Sequence, residues 1–126
     1  MPKSIPAAEG IVASGLPFSQ VVEANGFVFL AGQVGSAPGG AGPVPGGFEA
    51  EARQMFENVG RLLRAVGLDF VDVVRTTVYL RDMADFNAMN EAYREYFGAE
   101  PPVRATIGAA GLAASYRIEI EVTAAR

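Results

Sequence analysis

A single charge interrupts the otherwise uncharged stretch Pro102-Val103-Arg104-Ala105-Thr106-Ile107. In a strand that pairs into a sheet, such a charge is costly unless it meets a partner or faces a cavity. A guanidinium is a planar fork of donors that grips a carboxylate through two parallel hydrogen bonds, so Arg104 is a candidate for orienting a small carboxylate ligand. An ordinary surface arginine is the other reading, and strand context alone does not separate the two. A second charged pattern lies in Tyr116 to Thr123. There Tyr116, Ile118, Ile120 and Val122 would share one face, leaving Arg117, Glu119, Glu121 and Thr123 on the other. Alone, that row reads as a solvated face or as protection of a sheet edge. Other chemistry is scarce: the chain has no Cys and no His, which removes thiol nucleophiles, disulfides, imidazole proton shuttles and the usual zinc and copper sites. Its only lysine is Lys3, close to a chain end. Arginine, carboxylates, hydroxyls, backbone and water remain.

The elements that must hold these residues follow from periodicity and turn chemistry. Leu16 to Ala24 and Phe27 to Val34 are apolar runs separated by Asn25-Gly26, the dipeptide best suited to a type I′ turn, and so predict a β-hairpin. Ser36 to Gly47 has Gly or Pro at eight of twelve positions and can sustain neither ladder nor helix. From Phe48 the period changes to a helical one: Ala52, Met55, Phe56, Val59, Leu62, Leu63 and Val66 form one stripe that Gly67 ends, with Arg53-Glu57 and Glu57-Arg61 spaced as solvent-side ion pairs. Val73 to Leu80 reads as a strand, and Asp82 offers an N-cap for a second helix with Met83, Phe86, Met89, Asn90, Tyr93 and Phe97 inward. Val103 to Gly108 and Tyr116 to Thr123 complete the order β-β-α-β-α-β-β. This is an α+β domain whose two helices cover one face of a mixed sheet.

With 126 residues, 50% of them hydrophobic and 19% charged, one domain with a real core is expected over residues 1–126. In Phe27-Val28-Phe29-Leu30-Ala31 both alternating sets are apolar, so the strand should be buried on both sides, while two helices cover only one. A further copy of the chain or a barrel-like curl of the sheet would hide the second. A net charge of −4 without any basic run argues against nucleic acid and anionic membranes as partners. The longest apolar run is strand-sized, well below the roughly 20 residues of a membrane span. MPKSIPAAEG has no secretory apolar core, and a cytoplasmic location is expected.

Several ordered segments carry a resemblance. Leu16-Pro17-Phe18-Ser19-Gln20, Ala31-Gly32-Gln33, Gln54-Met55-Phe56-Glu57-Asn58-Val59, Val73 to Leu80, Phe86-Asn87 with Asn90 and Tyr93, and above all Pro102-Val103-Arg104-Ala105 followed by Ile118-Glu119-Ile120 resemble the Rid family, the YjgF-like reactive intermediate deaminases. The resemblance implies a chorismate-mutase-like homotrimer with clefts between subunits and no cofactor or metal. It implies hydrolysis of short-lived enamines and imines, such as 2-aminoacrylate, to 2-keto acids and ammonia. On that pattern Arg104 holds the substrate carboxylate, Glu119 assists proton transfer at the attacking water, and Gly32 and Thr106 line the pocket. Three positions depart from it: Phe18 where Tyr is common, Ala31 where Ser is frequent, and Thr106 where many members have Cys. The first two remove hydroxyls and leave a more apolar cleft, which keeps open a non-catalytic metabolite-binding or regulatory trimer, or a relative specialised for one pathway. An endoribonuclease role, sometimes attached to this family, is disfavoured by a pI near 4.8 and the lack of His or a basic stripe.

Overall fold

The computed structural model describes residues 2–126. The Asn25-Gly26 hairpin forms as expected: β1 (Val21–Ala24) and β2 (Phe27–Val34) pair antiparallel, and the turn residues have φ of 53° and 80°. Helix α1 (Gly47–Ala65) follows the glycine- and proline-rich loop. It ends in a Schellman motif, in which the Leu68 N–H reaches Leu63 O at 2.9 Å and the Gly67 N–H reaches Arg64 O at 3.1 Å. Next come a 3₁₀ turn (Phe70–Asp72), β3 (Val73–Leu80), a second 3₁₀ turn (Met83–Asp85), α2 (Phe86–Phe97), β4 (Val103–Gly108) and β5 (Ile118–Ala125). The sheet order is β1-β2-β5-β3-β4, antiparallel except for the parallel pair β3–β4, which α2 connects as a crossover. No helix among the described residues is long and apolar enough to cross a membrane.

Both helices lie on one face, where Met55, Phe56, Val59 and Leu63 of α1 meet Val28, Val78, Ile118 and Ile120 of the sheet, all fully buried. Phe56 stacks on Tyr96 with centroids 4.7 Å apart and meets Tyr93 edge-on at 5.9 Å. That aromatic joint fixes α2 against α1 and sets where Tyr93 stands. The opposite face of the sheet is open in the single chain. Along β2, Val28 and Leu30 are buried under the helices while Phe27 and Phe29 are 44% and 43% exposed.

Several expectations need correction. The first strand starts at Val21, not Leu16: the Ser14 hydroxyl donates to the Leu16 and Phe18 carbonyls at 3.2 and 3.1 Å and accepts from the Leu16 N–H, holding this stretch in bends that compete with a strand. The last strand starts at Ile118, with Tyr116 buried just ahead of it. Asp82 caps the 3₁₀ turn, accepting from the Ala84 N–H at 2.9 Å, and α2 grows out of that turn. Met83 therefore precedes the helix and is exposed, and Ala92 takes a place on the buried stripe. The expected ion pairs on α1 are redirected: Arg53 binds Glu49 and Glu95, Glu57 accepts from the Tyr96 hydroxyl, and Arg61 donates to Asn58.

Two polar side chains inside the core tie loops to α1. The Glu51 carboxylate is buried and accepts the Arg117 N–H at 2.7 Å, pinning the entry to β5. Asn58, 4% exposed, donates to the Val34 and Ser36 carbonyls at 2.8 Å each, pinning the end of β2. Asn58→Ala would strip both carbonyls of their partner, and should destabilise the chain by about 2–4 kcal/mol in urea unfolding, at the upper end of what one lost side chain with orphaned acceptors causes. A loss below about 0.5 kcal/mol would mean that water replaces the amide freely.

Candidate functional site

The sequence-predicted site residues fall into two groups. The first is built around an irregularity in β2. Leu30 pairs with Val122, but Gln33 pairs with Ile120, so β2 carries one residue more than β5 across Ala31-Gly32 and bulges there. Into the space above Gly32 folds the side chain of Glu119, and a Cβ at Gly32 would overlap its carboxylate. A side chain at position 32 would force the acid to move from that spot. Burial pushes the Glu119 carboxyl above the usual glutamate range, and the charge of Glu121 on the same strand adds to the shift. Phe18, 50% exposed, lines a cavity of about 620 Å³ together with Gly32, Gln20 and Gln33. Ala31 sits beside it, its N–H held by Gln20 O at 2.9 Å.

The second group sits on the edge strand. Arg104 pairs with Thr76 and Thr106 with Val78, and since Thr76 and Val78 are buried beneath the helices, Arg104 and Thr106 project to the helix side of the sheet. There Arg104 lies over the Tyr93 ring, Cζ 4.8 Å from its centroid, with Phe86 at 5.8 Å and the Met89 sulfur 3.7 Å from Nη1. Tyr93 is itself fixed by a 2.8 Å hydrogen bond between its hydroxyl and that of Thr76. No carboxylate among the described residues forms a salt bridge with Arg104. The flat guanidinium is thus oriented by stacking and by its Nη1 contact to the Met89 sulfur, while its other nitrogens have no hydrogen-bond partner among the described residues. Asn90 shares a cavity of about 430 Å³ with it and adds a neutral donor beside the charge. Sequence reasoning placed Asn90 on the inner stripe without assigning it to the site. Its signal was that of a polar residue on an otherwise apolar helix face, three positions before the tyrosine that carries the arginine.

The two groups do not meet within one chain. β4 is two strands from β5 and three from β2, which separates Arg104 from Glu119 and Gly32 by about 10 and 14 Å across the sheet alone. They also point to opposite faces: Glu119 alternates with the buried Ile118 and Ile120, whereas Arg104 lies on the side those residues share.

A family model described as endoribonuclease L-PSP, the YjgF or Rid family, matches residues 10–126. The chain belongs to that family. Among curated Rid-family relatives, a mouse protein named 2-iminobutanoate/2-iminopropanoate deaminase is 44% identical over 108 residues, covering 86% of this chain and 80% of the mouse protein. A RutC family protein of Pyrococcus horikoshii is 42% identical, covering 86% of each. Among solved structures, yeast Mmf1 superposes with a TM-score of 0.90 at 29% identity over 99% of both chains. Escherichia coli TdcF with bound serine does so with a TM-score of 0.87 at 31% identity over 98% of both. The mixed sheet with two helices on one face is therefore the Rid-family fold.

Proposed function

We propose that this protein is a hydrolytic deaminase of reactive enamines and imines of the 2-aminoacrylate type, converting them to 2-keto acids and ammonia. The observation that carries it is the pair of half-sites: an unpaired arginine held flat on Tyr93, and a desolvated carboxylate folded over a bulge glycine. The naming of 40–44% identical relatives as 2-iminobutanoate/2-iminopropanoate deaminases supports the same chemistry. An enamine first tautomerises to its imine. Arg104, with Asn90, grips the 2-carboxylate and holds the C=N carbon in place, while Glu119 takes a proton from water as the oxygen adds to that carbon. Glu119 then returns the proton to nitrogen, giving a carbinolamine. It next takes the proton of the new hydroxyl and passes it to the amino nitrogen, so that as the C–N bond breaks the oxygen closes to the keto C=O and ammonia leaves. Gly32 and Thr106 line the pocket, with Phe18 and Ala31 as its apolar wall. On this reading the protein is a cytoplasmic homotrimer that uses a small carboxylate-bearing substrate and neither cofactor, nucleic acid nor membrane.

Because Arg104 and Glu119 lie on opposite faces of one sheet, each complete site takes Arg104 from one copy and Glu119 from the next, and the exposed Phe27 and Phe29 are where copies meet. Arg104→Ala and Glu119→Gln should each be inactive as homotrimers. Co-expressed in equal amounts they should regain about a quarter of wild-type activity, because each mixed trimer rebuilds one of its three sites. A mixture as inactive as its parents would place the two residues in one site within a chain, or in none.

A second reading, a binding module without turnover, draws on Phe18 and Ala31, which lack hydroxyls to hold substrate or water. A coupled assay with 2-aminoacrylate separates the two readings. If the chain is a weak deaminase of small imines, Phe18→Tyr with Ala31→Ser should raise kcat/KM by about tenfold, since one restored hydrogen bond of 0.5–1.5 kcal/mol at each position reaches a decade. No change with any imine would withdraw both residues from the pocket wall.

A further inference from the structure

The cavity that holds Phe18 and Gly32 continues to α1, where its far wall is formed by Asn58 and Arg61. Arg61 is half-buried and its Nη1 donates to Asn58 Oδ1 at 2.9 Å. Asn58 is in turn locked by its two bonds to the Val34 and Ser36 carbonyls and by a 3.1 Å bond from Gln54. The guanidinium is therefore held in place while most of its donors stay free. No salt bridge joins it to a carboxylate among the described residues. None of the residues lining the cavity is acidic; Glu119 is not among them, and its carboxylate lies against Gly32, which is. A half-buried cation without a counter-charge attracts an anion that enters the cavity. At about 620 Å³ the cavity is also far larger than a two- or three-carbon imine needs.

We infer that Arg61 is a specificity-determining residue that receives a second acidic group, so that the preferred substrate is a 2-imino acid whose side chain ends in a carboxylate. The inference rests on the deaminase reading and deepens it. Arg104 takes the carboxylate beside the C=N bond, and Arg61 takes the one at the far end. Loss of hydroxyls at Phe18 and Ala31 then reflects a longer substrate that crosses an apolar middle between two cationic ends. A neutral aliphatic imine would leave Arg61 unpaired and so gain nothing from the far wall.

The test compares two imines formed in situ from their amino acids by an oxidase, one with a carboxyethyl side chain and one with an ethyl side chain. Wild type should prefer the diacid, and Arg61→Met should lower the diacid-to-monoacid ratio of kcat/KM by about ten- to hundredfold, the loss expected for one charged hydrogen-bonded pair. Arg61→Lys should recover part of the ratio, since the charge survives without the fork. A wild type without preference, or a fall shared equally by both substrates, would overturn the inference. Calorimetry with the matching keto acids decides it independently of turnover. Tighter binding of the dicarboxylic keto acid, lost in Arg61→Met, would sustain it even if neither imine were hydrolysed, an outcome that would sink the deaminase reading alone. Equal affinity for the two keto acids would sink the inference.

Discussion

Arg104→Ala should weaken keto-acid binding, and kcat/KM with it, by about 30- to 5,000-fold, the range that follows from 2–5 kcal/mol for removing one partner of a charge pair that is buried, as in the proposed site between copies. Arg104→Lys should recover little. An ammonium is a point charge that neither lies flat on the Tyr93 ring nor offers two parallel donors to a carboxylate. The fold should persist in both variants: Arg104 is exposed on an edge strand, and its stacking on Tyr93 contributes at most about 1 kcal/mol at such a site. Calorimetric titration with 2-oxobutanoate checks the first part and thermal unfolding the second. Binding left intact in Arg104→Ala would remove the carboxylate clamp and leave the stacked arginine as a structural feature of the edge strand.

Glu119→Gln should lower kcat/KM by about 10²- to 10⁴-fold, the contribution of a positioned general base, without destabilising the fold. The sign of the stability effect follows from the raised carboxyl. The folded chain holds the Glu119 proton more tightly than the unfolded chain does, so the group favours folding while protonated. That contribution is lost as pH rises from the unfolded value through the higher folded one. Once ionised the acid is a burden that glutamine removes, so above the Glu119 titration the melting temperature should stay level or rise while activity collapses. The acid limb of kcat/KM in the wild type should lie above the ordinary glutamate range. Glu121→Gln, which takes away the neighbouring negative charge, should move that limb to lower pH. A pH profile unaffected by Glu121→Gln would show that the limb belongs to another group.

What could be read from the sequence was whatever a local rule dictates. Asn25-Gly26 specifies its own turn because few other pairs accept positive φ twice, and the stripe from Ala52 to Leu63 can be satisfied only by a helix buried on that side. The alternation in Tyr116 to Thr123 put Glu119 on the face opposite Ile118 and Ile120, and the structure packs those two isoleucines beneath the helices. Contacts made across long separations were hidden. Glu51 looks like any helix-surface acid until Arg117, 66 residues later, brings a backbone N–H to it. Ser14 bends Leu16 to Phe18 through a hydroxyl whose reach no pattern reports. Most consequentially, the side chains of Arg104 and Glu119 each follow from their own strand, but their placement on opposite faces depends on which strands pair, and β4 joins the sheet parallel to β3 through a crossover that periodicity does not encode.

The bulge in β2 bears on how descendants of this sequence can drift. On either side of Ala31-Gly32 the ladder is regular, with Leu30 opposite Val122 and Gln33 opposite Ile120, so deleting one residue between them would let the two strands zip without shifting anything beyond. The sheet gains nothing from the extra residue and forgoes ladder hydrogen bonds to keep it. On the proposed reading the extra residue serves the acid that occupies the space above Gly32. A descendant one residue shorter at this point would keep its ladder and its core, and on the proposed reading would have given up its chemistry while keeping its scaffold.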